Sequence, residues 1–181
     1  MTVRPIRALG DPVLGTPCRD VTSFDERLAG LVDDLLDTVR LPGRGGLAAP
    51  QIGVGLRVFS YRIDGQEGHV VNPTVILTEG EQSGEEGCLS IPHLWVECPR
   101  AMHVVVAGFD ANGNALEVDG TGQMARCLQH ETDHLAGVLF IDRLDRATRK
   151  EAMQTIRERA LLESVQAPGR SGPSWLSHYR P

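Results

Sequence analysis

Several common signatures are missing from this chain of 181 residues. No apolar run approaches the roughly 20 residues that a membrane-spanning helix needs. Met1-Thr2-Val3-Arg4-Pro5-Ile6 lacks the charged-then-apolar build of a secretory signal. A cytosolic, reducing setting is therefore expected. The four cysteines, at 18, 88, 98 and 127, form no C-x-x-C pair, so no disulfide framework is expected and a thiol beside metal-binding histidines is free to act as a ligand. Surplus basic charge is also missing: the formal net charge is −6, which argues against specific nucleic-acid readout. There is no internal repeat and no domain boundary.

What is present is ordinary globular material, 41% apolar and 23% charged, enough for one domain with a core and a pocket. Ser23-Phe24-Asp25-Glu26 reads as a capping box with Ser23 as N-cap. Leu28, Leu31, Val32, Leu35, Leu36 and Val39 then recur at helical steps, so a helix is expected to about Arg40, ended by Pro42-Gly43. From Leu56 the period changes to two, and Arg57 to Tyr61, His69 to Leu77 and Met102 to Phe109 read as strands. Asn112-Gly113 signals a hairpin turn. Helices follow at about Gln123 to Ala136 and about Arg146 to Leu162, the latter with Asp145 as N-cap. The expected fold class is α+β: a single domain of mixed, mainly antiparallel strands around a central helix, with N-terminal and C-terminal helices. Residues 1–165 would form the catalytic domain and residues 166–181, rich in Pro and Gly, a loosely ordered tail on which Trp175 could dock.

The central helix carries His130-Glu131-Thr132-Asp133-His134, an H-E-x-x-H pentad. Positions four apart lie one above the other on a helix, so the two imidazoles can grip one ion from the same side. Glu131 stands where it can take a proton from a water on that ion. Asp119-Gly120-Thr121-Gly122 breaks the chain before the helix and Gly137 closes it. The competing reading is an exposed polar helix with two unrelated histidines. Two further segments bear on the choice. Gly46-Leu47-Ala48-Ala49-Pro50-Gln51-Ile52-Gly53 suits close backbone approach to a ligand and offers the Gln51 amide, or is a plain turn. In Glu86-Gly87-Cys88-Leu89-Ser90, Cys88 is either a small core residue or the third ligand that two histidines lack. Cys18 and Cys98 lack such a setting, and Cys127 reads as packing against the sheet.

In that order and at these separations, Gly-Leu-Ala-Ala-Pro-Gln, Glu-Gly-Cys-Leu-Ser and Gln-His-Glu-x-Asp-His resemble the three signature motifs of peptide deformylase. The resemblance extends from about Ile6 to about Leu144 and includes Gly10-Asp11-Pro12-Val13-Leu14. It implies that Cys88, His130 and His134 hold one divalent metal ion and leave a place open for water. Fe²⁺ is the implied native metal, with Zn²⁺, Ni²⁺ or Co²⁺ possible in purified protein. The implied reaction removes the N-formyl group from the first methionine of a newly made polypeptide and releases formate. Glu131 would act as general base and then acid, while the Gln51 amide and the Leu89 backbone N–H stabilise the oxyanion. Gly46 and Gly87 would bind substrate, and the methionine side chain would enter an apolar pocket beside the helix. Implied partners are N-formylmethionyl nascent peptides and the ribosome surface, in a bacterial cytoplasm.

The sequence departs from that pattern at named places. Arg44-Gly45-Gly46-Leu47 replaces Gly-(Ile or Val)-Gly-Leu, so Gly45 stands where a branched wall residue is usual. Trp95 takes the place of a substrate-side Arg found in some members, and Arg126 a position often apolar. Histidines 69, 93, 103 and 178 are expected to have no catalytic part. A zinc endopeptidase would share the pentad but needs a downstream His or Glu, and only His178 and Glu163 offer one. A non-catalytic metal-binding module is the other rival, although it has no use for a general base.

Overall fold

Helix α1 (Glu26–Val39) forms on the expected stripe: Leu28, Leu31, Val32, Leu35 and Val39 are all buried. Its start differs from the expected capping box. Asp25, not Ser23, is the N-cap, and its carboxylate accepts from the Arg27 and Leu28 amides at 3.0 and 3.1 Å. A charge adjacent to the first turn satisfies two free amides and meets the positive end of the helix dipole; a serine two residues earlier does neither. The computed structural model describes residues 2–166, so Trp175 and residues 167–181 of the expected tail lie outside the described residues.

Among the described residues, seven strands follow the helix. They are β1 (Gly46–Ala48), β2 (Val58–Ile63), β3 (Gln66–Glu79), β4 (Glu85–Cys88), β5 (Ile91–Glu97), β6 (His103–Phe109) and β7 (Ala115–Thr121). Five of them make a sheet in the order β1-β2-β3-β6-β7, and β4 and β5 make a separate pair. Every named pairing is antiparallel; the parallel contact Arg19↔Leu56 is an isolated bridge. The β6–β7 connection is the expected hairpin, with Gly113 at φ +85° and the Asp110 carboxylate accepting from the Asn112 and Asn114 amides.

Helix α2 (Gln123–Leu135) lies across the sheet, and α3 (Arg146–Gln166) begins at Asp145, whose carboxylate accepts from the Ala147 and Thr148 amides. The break before α2 is shorter than expected: Asp119, Gly120 and Thr121 belong to β7, and Gly122 alone turns the chain. Gly137, at φ +73°, closes the helix, since few side chains tolerate that backbone. Three apolar clusters hold these parts together. One joins α1 to β1 and β2, one packs Met124, Ala125, Leu128 and Leu135 of α2 on the sheet, and one sets α3 against β5. Among the described residues no helix is long and apolar enough to cross a membrane.

Leu128 is fully buried between α2 and the sheet. Leu128→Ala should lower stability by about 2–5 kcal/mol, lost transfer energy plus an unfilled cavity. Urea unfolding would show it as a lower midpoint at unchanged slope; an unchanged midpoint would mean that α2 does not rest on this contact.

Candidate active site

Ten of the thirteen α2 residues are buried, His130, Glu131, Asp133 and His134 among them, so this helix is not the exposed polar one that the pentad alone also allows. The β4–β5 pair brings Cys88 up to it. The Cys88 Sγ lies 3.3 Å from His134 Nε2, and one donor atom from each of Cys88, His130 and His134 lies within 4.8 Å of the others. Ligands at about 2.3 Å (sulfur) and 2.1 Å (nitrogen) from one tetrahedral ion stand roughly 3.6 Å apart. The spacing and the S, N, N donor set therefore fit a single divalent metal.

A polar partner fixes the His130 ring, whereas His134 Nδ1 is buried with no hydrogen-bond partner among the described residues. His130 Nδ1 meets Glu86 Oε1 at 2.7 Å, which leaves its other nitrogen to face Cys88. Glu86 also accepts from Arg100 Nε at 3.0 Å, Arg100 Nη2 at 2.6 Å and Arg126 Nη1 at 2.7 Å. Burial pushes the Glu86 carboxyl up, but the bonds from His130 and Arg100 outweigh it and hold the group far below the usual carboxylate range. Arg100 reaches on to Asp133 at 2.7 Å, and Asp133 also accepts from Arg143. Sequence reasoning named Glu86 only as part of a motif and missed Arg100 and Asp133. A carboxylate directly before Gly-Cys and another inside the pentad are the signals that were available. Arg126 is not a loose cation in a pocket wall, since the same Nη1 also donates to the Cys98 carbonyl at 2.8 Å.

Gln51 sits in a 3₁₀ turn (Ala49–Ile52) directly after β1, so its segment is a strand and a short helix rather than a plain turn. The Ala48 amide donates to Gln51 Oε1 at 2.9 Å, and this pins the amide group with Nε2 towards the centre. Nε2 lies 3.5 Å from Cys88 Sγ and 3.3 Å from Ser90 Oγ. Glu131 Oε2 is buried with no hydrogen-bond partner among the described residues. Burial raises the Glu131 carboxyl to about 7, with Glu86 adding to the rise and His130 opposing it. Gly46 passes so close that a Cβ there would stand 2.3 Å from Glu131 Oε1 and 2.8 Å from Cys127 Sγ. Cys127 thus packs against β1 of the sheet, as expected, and lines the cavity as well.

The cavity has a volume of about 410 Å³, and Gly46, Gln51, Cys88, Leu89, His130 and Glu131 all line it. Gly87 is there too, under the Trp95 ring. Every site residue expected from the sequence is therefore at one place, His134 behind the wall. The branched residue missing at position 45 has a substitute: Ile63 of β2 puts its Cδ1 2.8 Å from where a Cβ at 45 would stand. His93 lines the cavity mouth, whereas His69 accepts from the Ala111 amide and His103 pairs with Glu79 and Asp119, both away from the site. His178 and the side chain of Glu163 lie outside what the structure describes.

Comparison with known proteins agrees with this geometry. Residues 3–150 match the family described as Polypeptide deformylase. Peptide deformylase of Acidothermus cellulolyticus is 55% identical over 158 residues, 87% of this chain and 88% of that protein. Peptide deformylase 1 of Corynebacterium glutamicum is 50% identical over 165 residues, 88% and 98% of the two chains. The crystal structure of a peptide deformylase from Legionella pneumophila superposes with a TM-score of 0.83 at 38% identity, covering 92% of this chain and all of that one. The peptide deformylase of Thermus thermophilus gives the same score and identity over 91% and 99%. With a buried S, N, N triad, an unpartnered acid and most of its length matched, the chain belongs to the polypeptide deformylase family, metal-dependent hydrolases that remove the N-formyl group from newly made polypeptides.

Proposed function

We propose that Cys88, His130 and His134 hold the metal, that Glu131 moves the proton, and that Gln51 and the Leu89 backbone N–H receive the developing oxyanion. The observation that carries this reading is the approach of three soft and borderline donors to within 4.8 Å beside a buried carboxylate oxygen with no partner. When bound, a divalent ion supplies Lewis-acid activation of water and of the formyl group. Glu131 accepts the proton of the attacking water and returns it to the amine that leaves. A carboxyl raised by burial to about 7 suits both directions of transfer near neutral pH. The pinned Gln51 amide needs no reorientation as charge appears on the formyl oxygen, which is what makes a fixed donor effective. Gly46 and Gly87, which both line the cavity, bind the peptide backbone; a side chain at Gly46 would run into Glu131 and Cys127, and one at Gly87 into the Trp95 ring. The formylmethionine side chain enters the cavity near Ile63, Cys127 and Arg126.

Fe²⁺ is the proposed native metal, and Zn²⁺, Ni²⁺ or Co²⁺ can take its place on purification. A thiolate with two imidazoles also suits zinc, so supply and oxidation decide which ion is retained. The proposed setting is the bacterial cytoplasm, with nascent chains met at the ribosome surface. Residues 166–181 are proposed as a tail outside the catalytic domain.

Three variants separate these roles. Cys88→Ala should lose metal and turnover together, read by metal analysis on protein purified without oxygen. Full metal content with full activity would instead favour an endopeptidase-type third ligand. Glu131→Ala should keep stoichiometric metal and lose about 10²–10⁴ in kcat for formate release from formyl-Met-Ala-Ser; a normal rate removes Glu131 from the reaction. Gln51→Leu should cost about 3 kcal/mol of transition-state stabilisation, a drop in kcat with metal retained. Unchanged turnover there rejects the oxyanion role.

A further inference from the structure

Asp133 stands directly before His134 on α2, yet its carboxylate meets two arginines rather than the donor triad. Arg143, which ends the 3₁₀ turn Phe140–Asp142, takes both of its oxygens: Nη2 donates to Oδ1 at 2.5 Å and Nε to Oδ2 at 3.1 Å. Arg100 Nη1 reaches Oδ2 at 2.7 Å and gives Nε and Nη2 to Glu86 at 3.0 and 2.6 Å. Glu86 Oε1 then meets His130 Nδ1 at 2.7 Å. This path leaves α2 at Asp133 and returns to it at His130, three residues away on one side of the helix. A loop closed by two guanidinium forks has little freedom, so turning the carboxylate at one end turns the imidazole at the other.

Glu86, Arg100 and Asp133 are all buried, whereas the Arg143 side chain is 50% exposed. It stands in the wall of a second cavity, of about 510 Å³, which Arg100, Gln129, Thr132 and Asp133 also line. None of these five residues lines the catalytic cavity. A half-exposed ion pair adds little to stability, so stability alone does not account for this one. Among the described residues Arg143 Nη2 is the one partner of Asp133 Oδ1. Without it that oxygen turns to the water of the second cavity, Oδ2 shifts off Arg100, and Glu86 loses its support from behind. We propose that Arg143 is a positioning residue for the metal site: by gripping Asp133 it locks Arg100 and Glu86, and through them the His130 ring, at the angle a ligand needs. It touches neither the substrate nor the reacting atoms. The planar fork matters more than the charge, since two parallel donors fix the plane of a carboxylate and a single ammonium does not.

The inference rests on the reading of Cys88, His130 and His134 as metal ligands, and metal release tests the two separately. Protein loaded with Co²⁺ in the absence of oxygen would be mixed with excess chelator, and release followed by the loss of the thiolate-to-cobalt absorption. Arg143→Ala should release the ion about tenfold faster than wild type, the lower end of what removing an outer partner of a ligating histidine costs in affinity. Arg143→Lys, which keeps the charge and loses the fork, should also release it faster than wild type. Arg149→Ala breaks an exposed pair with Asp142 outside the path and should release at the wild-type rate. With the ion in excess, KM for formyl-Met-Ala-Ser should be unchanged in Arg143→Ala. A wild-type release rate in Arg143→Ala, full recovery with Lys, equal acceleration in Arg149→Ala or a raised KM would overturn the positioning role and leave the metal reading standing. Wild-type protein that retains no cobalt would reject the metal reading and the role with it.

Discussion

Glu86 accepts four hydrogen bonds from three side chains, and those side chains come from β-strand surroundings and from α2. The consequence is geometric. One oxygen sets the ring of His130, the neighbouring residue but one is Cys88, and the two donors can only meet if this carboxylate is fixed between them. A buried ion pair is weak evidence for stability, because desolvation offsets most of its attraction. Here two buried arginines face two buried acids, so the cluster is close to neutral and few hydrogen-bonding groups are wasted. Its worth lies in position: a second layer of hydrogen bonds is what orients a ligating imidazole.

The same arrangement explains how a polar helix can occupy the middle of a protein. Successive residues on α2 turn by about 100°, so its sides can serve different neighbours. Met124, Ala125, Leu128 and Leu135 face the sheet, Arg126 and Asp133 enter the ion cluster, and His130, His134 and Glu131 face β4 and β1. A helix with this much charge would be driven to the surface if those partners were absent, since an unpaired buried charge is far costlier than an exposed one.

This is also why the sequence was legible in some places and opaque in others. Apolar stripes at helical spacing located α1 to within a residue or two, because burial of one face is a local pattern. Its cap was misplaced at Ser23, since Ser23 and Asp25 are both good capping types and only the backbone decides which carboxylate or hydroxyl reaches the free amides. The strands β4 and β5 were not anticipated: Glu85-Glu86-Gly87-Cys88 is too short and too polar to show a period of two. Cys88 was found through its motif, not through its strand. Arg100 and Asp133 could not be paired from spacing, as they lie 33 residues apart and meet only through the tertiary fold. The Ile63 side chain that fills the space beside Gly45 is another long-range substitution with no local signal.

Glu131 decides between a catalyst and a metal-binding module that kept the fold. A module of the second kind gains nothing from burying a carboxylate oxygen without a partner, a burden of about 1–3 kcal/mol for a neutral group and more for a charge. Natural selection for stability alone would replace it with an apolar residue of similar size, and β1 would then not need Gly46 to pass at so short a range. Instead the chain keeps both the acid and the glycine that makes room for it. A buried carboxylate oxygen without a partner at a cavity wall, beside a donor triad, suits the proposed proton transfer: such an acid must be dry enough to titrate near neutrality, and near enough to the reacting atoms to exchange its proton with them.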